Sequence, residues 1–535
     1  MTETVTTVGG EPEGVAVTAG PGAVDGTAAP EHGRGGPRSR RLPRIPGFAE
    51  PGAGGSGKRE GKALRERVPR SAHAVFEAAD ARPDAVTSVE ESNQGRLSEL
   101  TPIRVGRMAA SPFAFLRGSA GLMAYDLART PVTGVRAQIC GDAHAANFGL
   151  YGDARGGLVI DLNDFDETVP GPWEWDLKRL ATSLVLAGRE AGADEDTCRA
   201  AAYDAVGAYR HTMRLLAKLP ALDAWNAIAD EELVSHADAH DLVGTLQRVA
   251  AKARANTSGR FAARSTERTE DGGRRFAEAP PVLRRVPDAE AEAVAASLAD
   301  YVGTLPEDRL PLLARYAVHD VAFRVVGTGS VGTRSYVVLL LDHRGKPLVL
   351  QVKEARPSAL VPHLAAAGFD VPPAGHEGRR VVLGQQRMQV VSDTLLGWTS
   401  VEGRPYQVRQ FRNRKGSVDP AALAADQIDD YGRMTGALLA RAHSHSADPP
   451  RDRRVRRQER RAGRGRRRVR CRLRRPYRGR PRGPGEGGAG GADRGRGRRL
   501  TAAGSGGRRR PCAGCVCGPG GELAGPARRG LRLIG

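Results

Sequence analysis

The sequence contains no uninterrupted apolar run long enough to cross a membrane, and no basic segment followed by an apolar core stands near its first residue. These absences argue against a membrane-spanning helix and a secretory signal, so we expect a cytoplasmic protein without a membrane partner. Cysteine is scarce, with 6 in 535 residues. Cys140 and Cys198 lie in the part expected to fold, and the other four lack a second ligand pair at zinc-like spacing. The sequence therefore predicts neither disulfide bonds nor structural zinc.

Lysine is missing and acidic residues are few at the strongly basic end of the chain. Residues 451–535 contain 28 arginines, no lysine and 5 acidic residues, a net charge of +23, whereas the whole chain carries +21. The remaining residues are therefore close to neutral, at −2. They offer no general electrostatic argument for a nucleic-acid partner.

Two interpretations of residues 449–535 remain open. A tract rich in Arg, Gly and Pro could bind phosphate backbones with strong salt dependence. It contains one aromatic residue, Tyr477, which is unusual for an evolved nucleic-acid arm. The same composition is expected if a GC-rich gene is read out of frame from about Asp448, because these amino acids have GC-rich codons. We favour the frameshift and expect nucleic-acid binding only if the tract is genuine.

Several oxygen-bearing side chains stand close together in the sequence, between residues 142 and 164. Asp142 stands five residues before Asn147, and an apolar strand at residues 158–160 ends in Asp161. Asp142 can orient a hydroxyl nucleophile and accept its proton, while Asn147 and Asp161 can supply oxygen ligands to Mg²⁺. Asp164 follows as a carboxylate for a second metal or for support. The spacing predicts a phosphoryl-transfer site.

A helix is predicted to begin near Asp176, with apolar positions at Leu177, Leu180 and Leu184 on one face. The Asp176 carboxylate can accept hydrogen bonds from backbone N–H groups, either of its own first turn or of the loop at residues 141–147. Taken alone, a plain helix cap is the simpler interpretation.

These motifs resemble the catalytic half of aminoglycoside-phosphotransferase-like kinases, in which a Gly-Asp-x-His-x-x-Asn loop, an Ile-Asp strand end and a Trp-Asp-Leu helix follow in this order. More closely, residues 111–118, 141–147 and 163–180 resemble the bacterial domain-of-unknown-function family 2252, which is grouped with the protein-kinase-like fold. This resemblance extends from about residue 65 to residue 448 and fades after His445. It implies a kinase-like fold and cleft, with His144 supporting the loop, and it implies no particular substrate.

A second half further along the chain has the features of a nucleotide site. Gly327, Gly329 and Gly332 form a Gly-x-Gly-x-x-Gly run, where missing side chains let backbone N–H groups approach phosphate oxygens. Two apolar strands follow, at residues 336–341 and 348–353. Such a hairpin is typical of the kinase nucleotide-binding lobe.

Lys353, near the end of the second of these strands, is the predicted phosphate clamp. Glu377 is the candidate glutamate partner for it, because Glu354 should point to the opposite strand face. Residues 406–411 are expected to form the connecting strand where adenine is bound. ATP and Mg²⁺ are therefore the predicted cosubstrate and metal.

The two halves stand in the reverse of the order found in ordinary kinases. We therefore predict an α+β, two-lobed, protein-kinase-like fold that is circularly permuted and flanked by disordered tails at residues 1–60 and 449–535. The kinase-like domain is expected over residues 61–448. Its parts are a catalytic-loop half at 100–220, a helical connector at 221–320, a nucleotide-binding lobe at 321–415 and a helix at 420–446. Within the connector, residues 256–275 are predicted to be a mobile loop and 288–303 an amphipathic helix.

Two other functions remain open. Asp142, His144, Asp161 and Asp164 could form a two-metal phosphoester hydrolase, although such a site has no need of a glycine-rich run and a lysine. A non-catalytic, pseudokinase-like nucleotide-binding module is the other possibility. For the kinase interpretation the acceptor is a small-molecule or protein hydroxyl, and nucleotidyl transfer also fits.

Overall fold

The computed structural model describes residues 57–78, 81–227, 240–270, 272–325, 327 and 329–446. All of them belong to one compact unit, Met1–Gly479. The predicted tails lie outside the described residues, except that the first helix begins at Gly57. In the part of the chain that is described, no helix is long and apolar enough to span a membrane.

The architecture mixes helices and antiparallel strands, which confirms the α+β class. The helices are α1 Gly57–Arg67, α2 Ala85–Asn93, α3 Thr101–Ala109, α4 Pro112–Gly118, α5 Ala120–Leu127, α6 Trp173–Glu190, α7 Glu195–Leu216, α8 Ala221–Asn226, α9 Val243–Arg254, α10 Ser258–Ser265, α11 Asp288–Ala296, α12 Leu298–Val302, α13 Leu310–Leu313, α14 Val361–Leu364, α15 Glu377–Met388 and α16 Ile428–Ser444. The strands are β1 Arg136–Ile139, β2 Phe148–Gly152, β3 Leu158–Leu162, β4 Val169–Pro172, β5 Thr266–Arg268, β6 Arg274–Phe276, β7 Leu283–Arg285, β8 Tyr316–Arg324, β9 Ser335–Asp342, β10 Pro347–Glu354, β11 Gly397–Val401, β12 Arg404–Gln410 and β13 Gly416–Ser417.

The largest sheet has six antiparallel strands in the order β11-β12-β10-β9-β8-β7. Its central hairpin, β9 and β10, confirms the strands predicted at residues 336–341 and 348–353. Both strands are buried on both faces. Tyr336, Val338 and Leu340 enter one apolar cluster, while Val337 and Leu339 enter another, as the two-residue period of a strand requires. Because both faces of these strands are buried, their sequences are continuous apolar runs and do not alternate between apolar and polar residues.

Small residues allow three long helices to pack closely against one another. α16 lies against α7, where a Cβ built on Gly436 would stand 2.1 Å from the Ala205 carbonyl oxygen and one built on Gly432 would stand 2.6 Å from that of Ala201. α6 packs beside both. A short sheet in the order β13-β2-β3 carries the turns that lead into the site.

The prediction of a mobile loop at residues 256–275 is wrong. The structure has α10 there, capped by the Thr257 hydroxyl, which accepts a hydrogen bond from the Arg260 N–H at 3.2 Å, followed by the β5-β6 hairpin. Phe261 packs edge-on against Phe411, with ring centroids 4.7 Å apart, and so anchors this charged segment to the sheet. The helix predicted at 288–303 is present as two helices, α11 and α12, which meet at Ser297.

Candidate functional site

A cleft of about 340 Å³ lies where the six-stranded sheet faces the turn that follows β3. The sheet contributes Lys353 from β10, and the turn contributes Asn163 and Asp164. Gly327 and Ser330 of the glycine-rich segment also line it. The cleft thus brings Asp164 of the first predicted half together with Gly327 and Lys353 of the second, whereas Asp142 and Asn147 are not among the residues that line it.

The loop at residues 141–147 is held from behind by Asp176 at the start of α6. The Asp176 carboxylate accepts hydrogen bonds from the N–H groups of Cys140 at 2.7 Å and Gly141 at 2.9 Å, and it also contacts His443 Nε2 at 3.1 Å. Asp176 therefore fixes the loop and does not cap its own helix. Gly141 has φ of 80°, and a Cβ there would stand 2.3 Å from the Glu167 carbonyl oxygen, so this position requires glycine.

Asp142 sits at the loop tip and pairs with Arg179 of α6, whose Nε donates to Oδ1 at 2.6 Å. Burial raises the pKa of Asp142 to about 7, against the opposing effect of Arg179 and with a further raising effect from Glu167. Its side chain retains 20% exposure. A carboxyl group with these properties can accept a proton near neutral pH.

Asn147 closes the same loop by donating from Nδ2 to the Asp142 carbonyl oxygen at 2.6 Å. The backbone carbonyl of Asn147 accepts a hydrogen bond from the Asn163 N–H at 2.9 Å, which sets the loop beside the turn that carries Asp164. His144 is buried with a pKa held well below its usual value by burial and by Arg179, in keeping with a supporting role.

Lys353 is the long-range contact that joins the two halves. Its ammonium pairs with the Asp166 carboxylate, which also accepts hydrogen bonds from Gln407 Nε2 at 3.0 Å and from the Ser330 hydroxyl at 3.1 Å. The Lys353 side chain is 3% exposed. Asp166 therefore connects β10, β12 and the glycine-rich segment to the turn after β3.

Asp164 lines the cleft beside this contact. Burial favours its neutral form, but the ammonium of Lys353, together with Arg409 and Lys415, lowers its pKa below the usual value. Asp164 is also close enough to contribute to the raised pKa of Asp142. A carboxylate kept ionised suits Mg²⁺, which binds through one or two protein carboxylates plus substrate phosphates.

The structure does not bring Asp161, predicted as a metal ligand, to the cleft. Its side chain is 1% exposed and forms a buried ion pair with Arg441 of α16. It also accepts from its neighbour's N–H, that of Leu162, at 2.8 Å. The pairing expected between Glu377 and Lys353 is absent as well, because the Glu377 carboxylate pairs with Arg380 one helical turn on.

The three glycines have different surroundings. Gly327, with φ of 62°, lines the cleft, and its carbonyl oxygen accepts from Arg107 of α3. Gly332, with φ of 87°, is held from outside by the Leu97 N–H, which donates to its carbonyl oxygen at 2.8 Å. Gly329 is exposed and stands beside the Arg117 backbone. The segment before α4 therefore holds both ends of the glycine-rich run.

Three site residues were missed by reasoning from the sequence: Arg179, Arg409 and Lys415. Asp166 belongs to the acidic stretch at residues 161–167, but its pairing with Lys353 was not predicted. Arg409 lies in the strand predicted to contact adenine. Nothing in the sequence marks Arg179 or Lys415. Among the described residues, no group of three or more His, Cys, Asp or Glu side chains is arranged to hold a metal ion.

A family model described as "Uncharacterized protein conserved in bacteria (DUF2252)" matches residues 96–469. This range includes the loop at 141–147, the turn after β3 and the six-stranded sheet from β7 onward. It continues past His445, where the resemblance was expected to fade, into residues that the structure does not describe. Searches of curated proteins and of solved structures find no match. The chain therefore belongs to the DUF2252 family of uncharacterised bacterial proteins.

Proposed function

We propose that this protein is a kinase-like phosphotransferase that moves a phosphoryl group from Mg-ATP to a hydroxyl acceptor. The observation that carries the proposal is the ion pair between Lys353 and Asp166. This ion pair joins β10, which follows the glycine-rich run and β9, to the turn after β3. Asp164 in that turn is close enough to Asp142 to act on it electrostatically. A glycine-rich cover, a strand lysine, a metal-binding carboxylate and amide, and a catalytic aspartate are the parts that phosphoryl transfer by kinases requires.

The proposal assigns one role to each residue. Asp142 would accept the proton of the acceptor hydroxyl as that oxygen bonds to the γ-phosphorus and the bond from phosphorus to the departing ADP oxygen breaks. Lys353 would hold phosphate oxygens, and Gly327 would allow the backbone to approach them. Asn147 and Asp164 would hold Mg²⁺, which neutralises phosphate charge when bound. This assignment moves the metal role predicted for Asp161 to Asp164.

Two features support the proposed two-lobed, permuted arrangement. β8, the glycine-rich run, β9, β10 with its lysine and α15 follow in the order in which a kinase nucleotide lobe places its glycine loop, lysine strand and helix. In addition, the last described helix ends beside the strand that opens the catalytic loop, where the Gln138 N–H donates to the Ser446 hydroxyl at 2.7 Å. The chain that leaves the nucleotide-binding lobe thus returns to the strand before the catalytic loop, and cleft geometry depends on which elements meet in space and not on chain order.

The test compares Asp142→Asn with the unaltered chain. We expect the variant to lose transfer of labelled phosphate from ATP to acceptors in a cell extract, while it keeps its thermal stabilisation by ATP with Mg²⁺, because the base acts on the acceptor. Stabilisation by metal alone would favour a hydrolase, and binding without transfer in both proteins would favour a non-catalytic module. Equal transfer by both proteins would refute the role of Asp142.

A further inference from the structure

Four cationic side chains line one part of the cleft: Arg324, Arg409, Arg412 and Lys415. We call them the cation cluster. Arg324 ends β8, Arg409 stands near the end of β12, and the other two lie in the segment between β12 and β13. Arg409, Arg412 and Lys353 all act on Lys415 electrostatically, and Arg412 acts on Arg324. The cluster is therefore continuous with the proposed phosphate clamp.

The carboxylates of Asp164 and Asp393 act electrostatically on members of this cluster, but two carboxylates do not balance four cationic side chains. Arg409 Nε donates to the neutral Gln351 Oε1 at 3.0 Å. The guanidinium carbons of Arg324 and Arg412 each stand 5.1 Å from the centre of the Phe411 ring. Within the described part of the chain, the Lys415 ammonium has no hydrogen bond, and no member of the cluster has an ion pair with a carboxylate. Asp393, a carboxylate that lines the same cleft, accepts backbone N–H groups.

Such a concentration of unpaired cations is unfavourable without a ligand. Burial and the neighbouring Arg409 lower the pKa of Lys415 to about 7, against the opposing effect of Asp164. All four side chains are half-buried, and like charges partly removed from water cost free energy that an anion would recover. The Phe411 ring next to the cluster offers little free surface for a purine, because it is covered by two guanidinium groups and by Phe261.

We propose that the cation cluster is a binding site for a phosphate chain, a diphosphate or triphosphate group. Guanidinium groups bind phosphate oxygens in bidentate geometry, and an ammonium adds a point charge. The inference rests on the proposed function in taking the cleft as the substrate site. The chain could belong to the nucleotide itself, with its base directed away from the cluster, or to a phosphorylated acceptor bound beside it.

The test measures binding of inorganic tripolyphosphate, ATP and adenosine by calorimetry without Mg²⁺ at fixed salt. Lys415→Gln and Arg409→Gln remove charges from the cluster. Lys346→Gln, in the exposed turn between β9 and β10, and Arg404→Gln, exposed on β12, are matched controls. We expect tripolyphosphate to bind the unaltered protein and both controls, to bind each cluster variant about tenfold or more weakly, and adenosine not to bind.

Competition between ATP and tripolyphosphate shows whether the bound phosphate chain belongs to the nucleotide or to a phosphorylated acceptor. If ATP displaces tripolyphosphate, the nucleotide's own phosphates occupy the cluster; if both bind together, the cluster serves a phosphorylated acceptor. Arg412→Gln replaces any cluster variant that fails to fold. Tripolyphosphate binding that is absent, or equal in cluster and control variants, would overturn the inference even if transfer from ATP is observed. Intact tripolyphosphate binding without transfer would instead refute the proposed function and leave the inference standing.

Discussion

At the scale of single residues, Asp161 and Asp164 have different surroundings and therefore different expected roles. We expect Asp164→Asn to weaken Mg-ATP binding by about tenfold or more and to leave thermal stability nearly unchanged. Asp161→Ala should leave Mg-ATP affinity unchanged but destabilise the fold by about 3–5 kcal/mol, because Arg441 would remain buried and unpaired. Calorimetric titration and denaturant unfolding measure the two effects.

The double variant Asp161→Ala/Arg441→Met is the control for that interpretation, since removing both charges should restore part of the lost stability. A loss of Mg-ATP affinity in Asp161→Ala, with Asp164→Asn unaffected, would return the metal role to Asp161.

The raised pKa of Asp142 predicts a pH dependence of the proposed transfer. A base acts in its ionised form, so with a pKa of about 7 activity should fall as pH decreases through 7 and level off above about 8. Well below the pKa, kcat/KM should fall tenfold for each decrease of one pH unit. The kcat/KM profile of the unaltered protein measures it. A limb near the ordinary carboxyl pKa of about 4 would contradict the raised pKa of Asp142.

At the scale of elements, the contact between α16 and α7 depends on glycine. We expect Gly436→Ala to destabilise the protein by about 1–3 kcal/mol, because the added methyl group meets the Ala205 carbonyl oxygen. Gly207→Ala is the matched control, since Gly207 lies in α7 with nothing within 4 Å of its built Cβ; it should stabilise by about 0.5–1 kcal/mol. Thermal unfolding of both variants tests the difference, and equal destabilisation would contradict it.

At the scale of the whole molecule, charge separates residues 451–535 from the rest, at +23 against −2. The family match continues to residue 469, but the composition still leads us to expect that the gene, read in another frame from about codon 448, encodes a continuation with ordinary acidic and apolar residues. Resequencing and translation in the alternative frames is the measurement. If no frame restores such a continuation, the arginine tract is genuine, and salt-sensitive binding to RNA that disappears on deletion of residues 451–535 becomes the expected result.

Local patterns were sufficient for several elements and for the polar loop of the site. The apolar runs of β9 and β10, the helix that contains the Trp-Asp-Leu motif and the strand that leads to Asp161 were all predictable, because backbone periodicity depends on neighbouring residues. Asp142, Asn147 and Lys353 could be selected as candidates for a similar reason, since their residue types and spacing belong to one short motif each. The segment at 256–275 was missed because its charged residues conceal an aromatic anchor, Phe261, whose partners come from elsewhere.

Which carboxylate meets which cation was decided by tertiary structure alone. Within residues 161–166 the sequence offers three aspartates of equal chemistry, yet strand β3 turns Asp161 into the core towards Arg441, while the following turn directs Asp164 and Asp166 to the cleft and Lys353. The cation cluster likewise assembles from the ends of two strands and the segment after one of them. Electrostatic partners depend on distances across the fold, which no local sequence pattern contains. The tendency to form a strand, turn or helix depends instead on neighbouring residues and can be predicted from them.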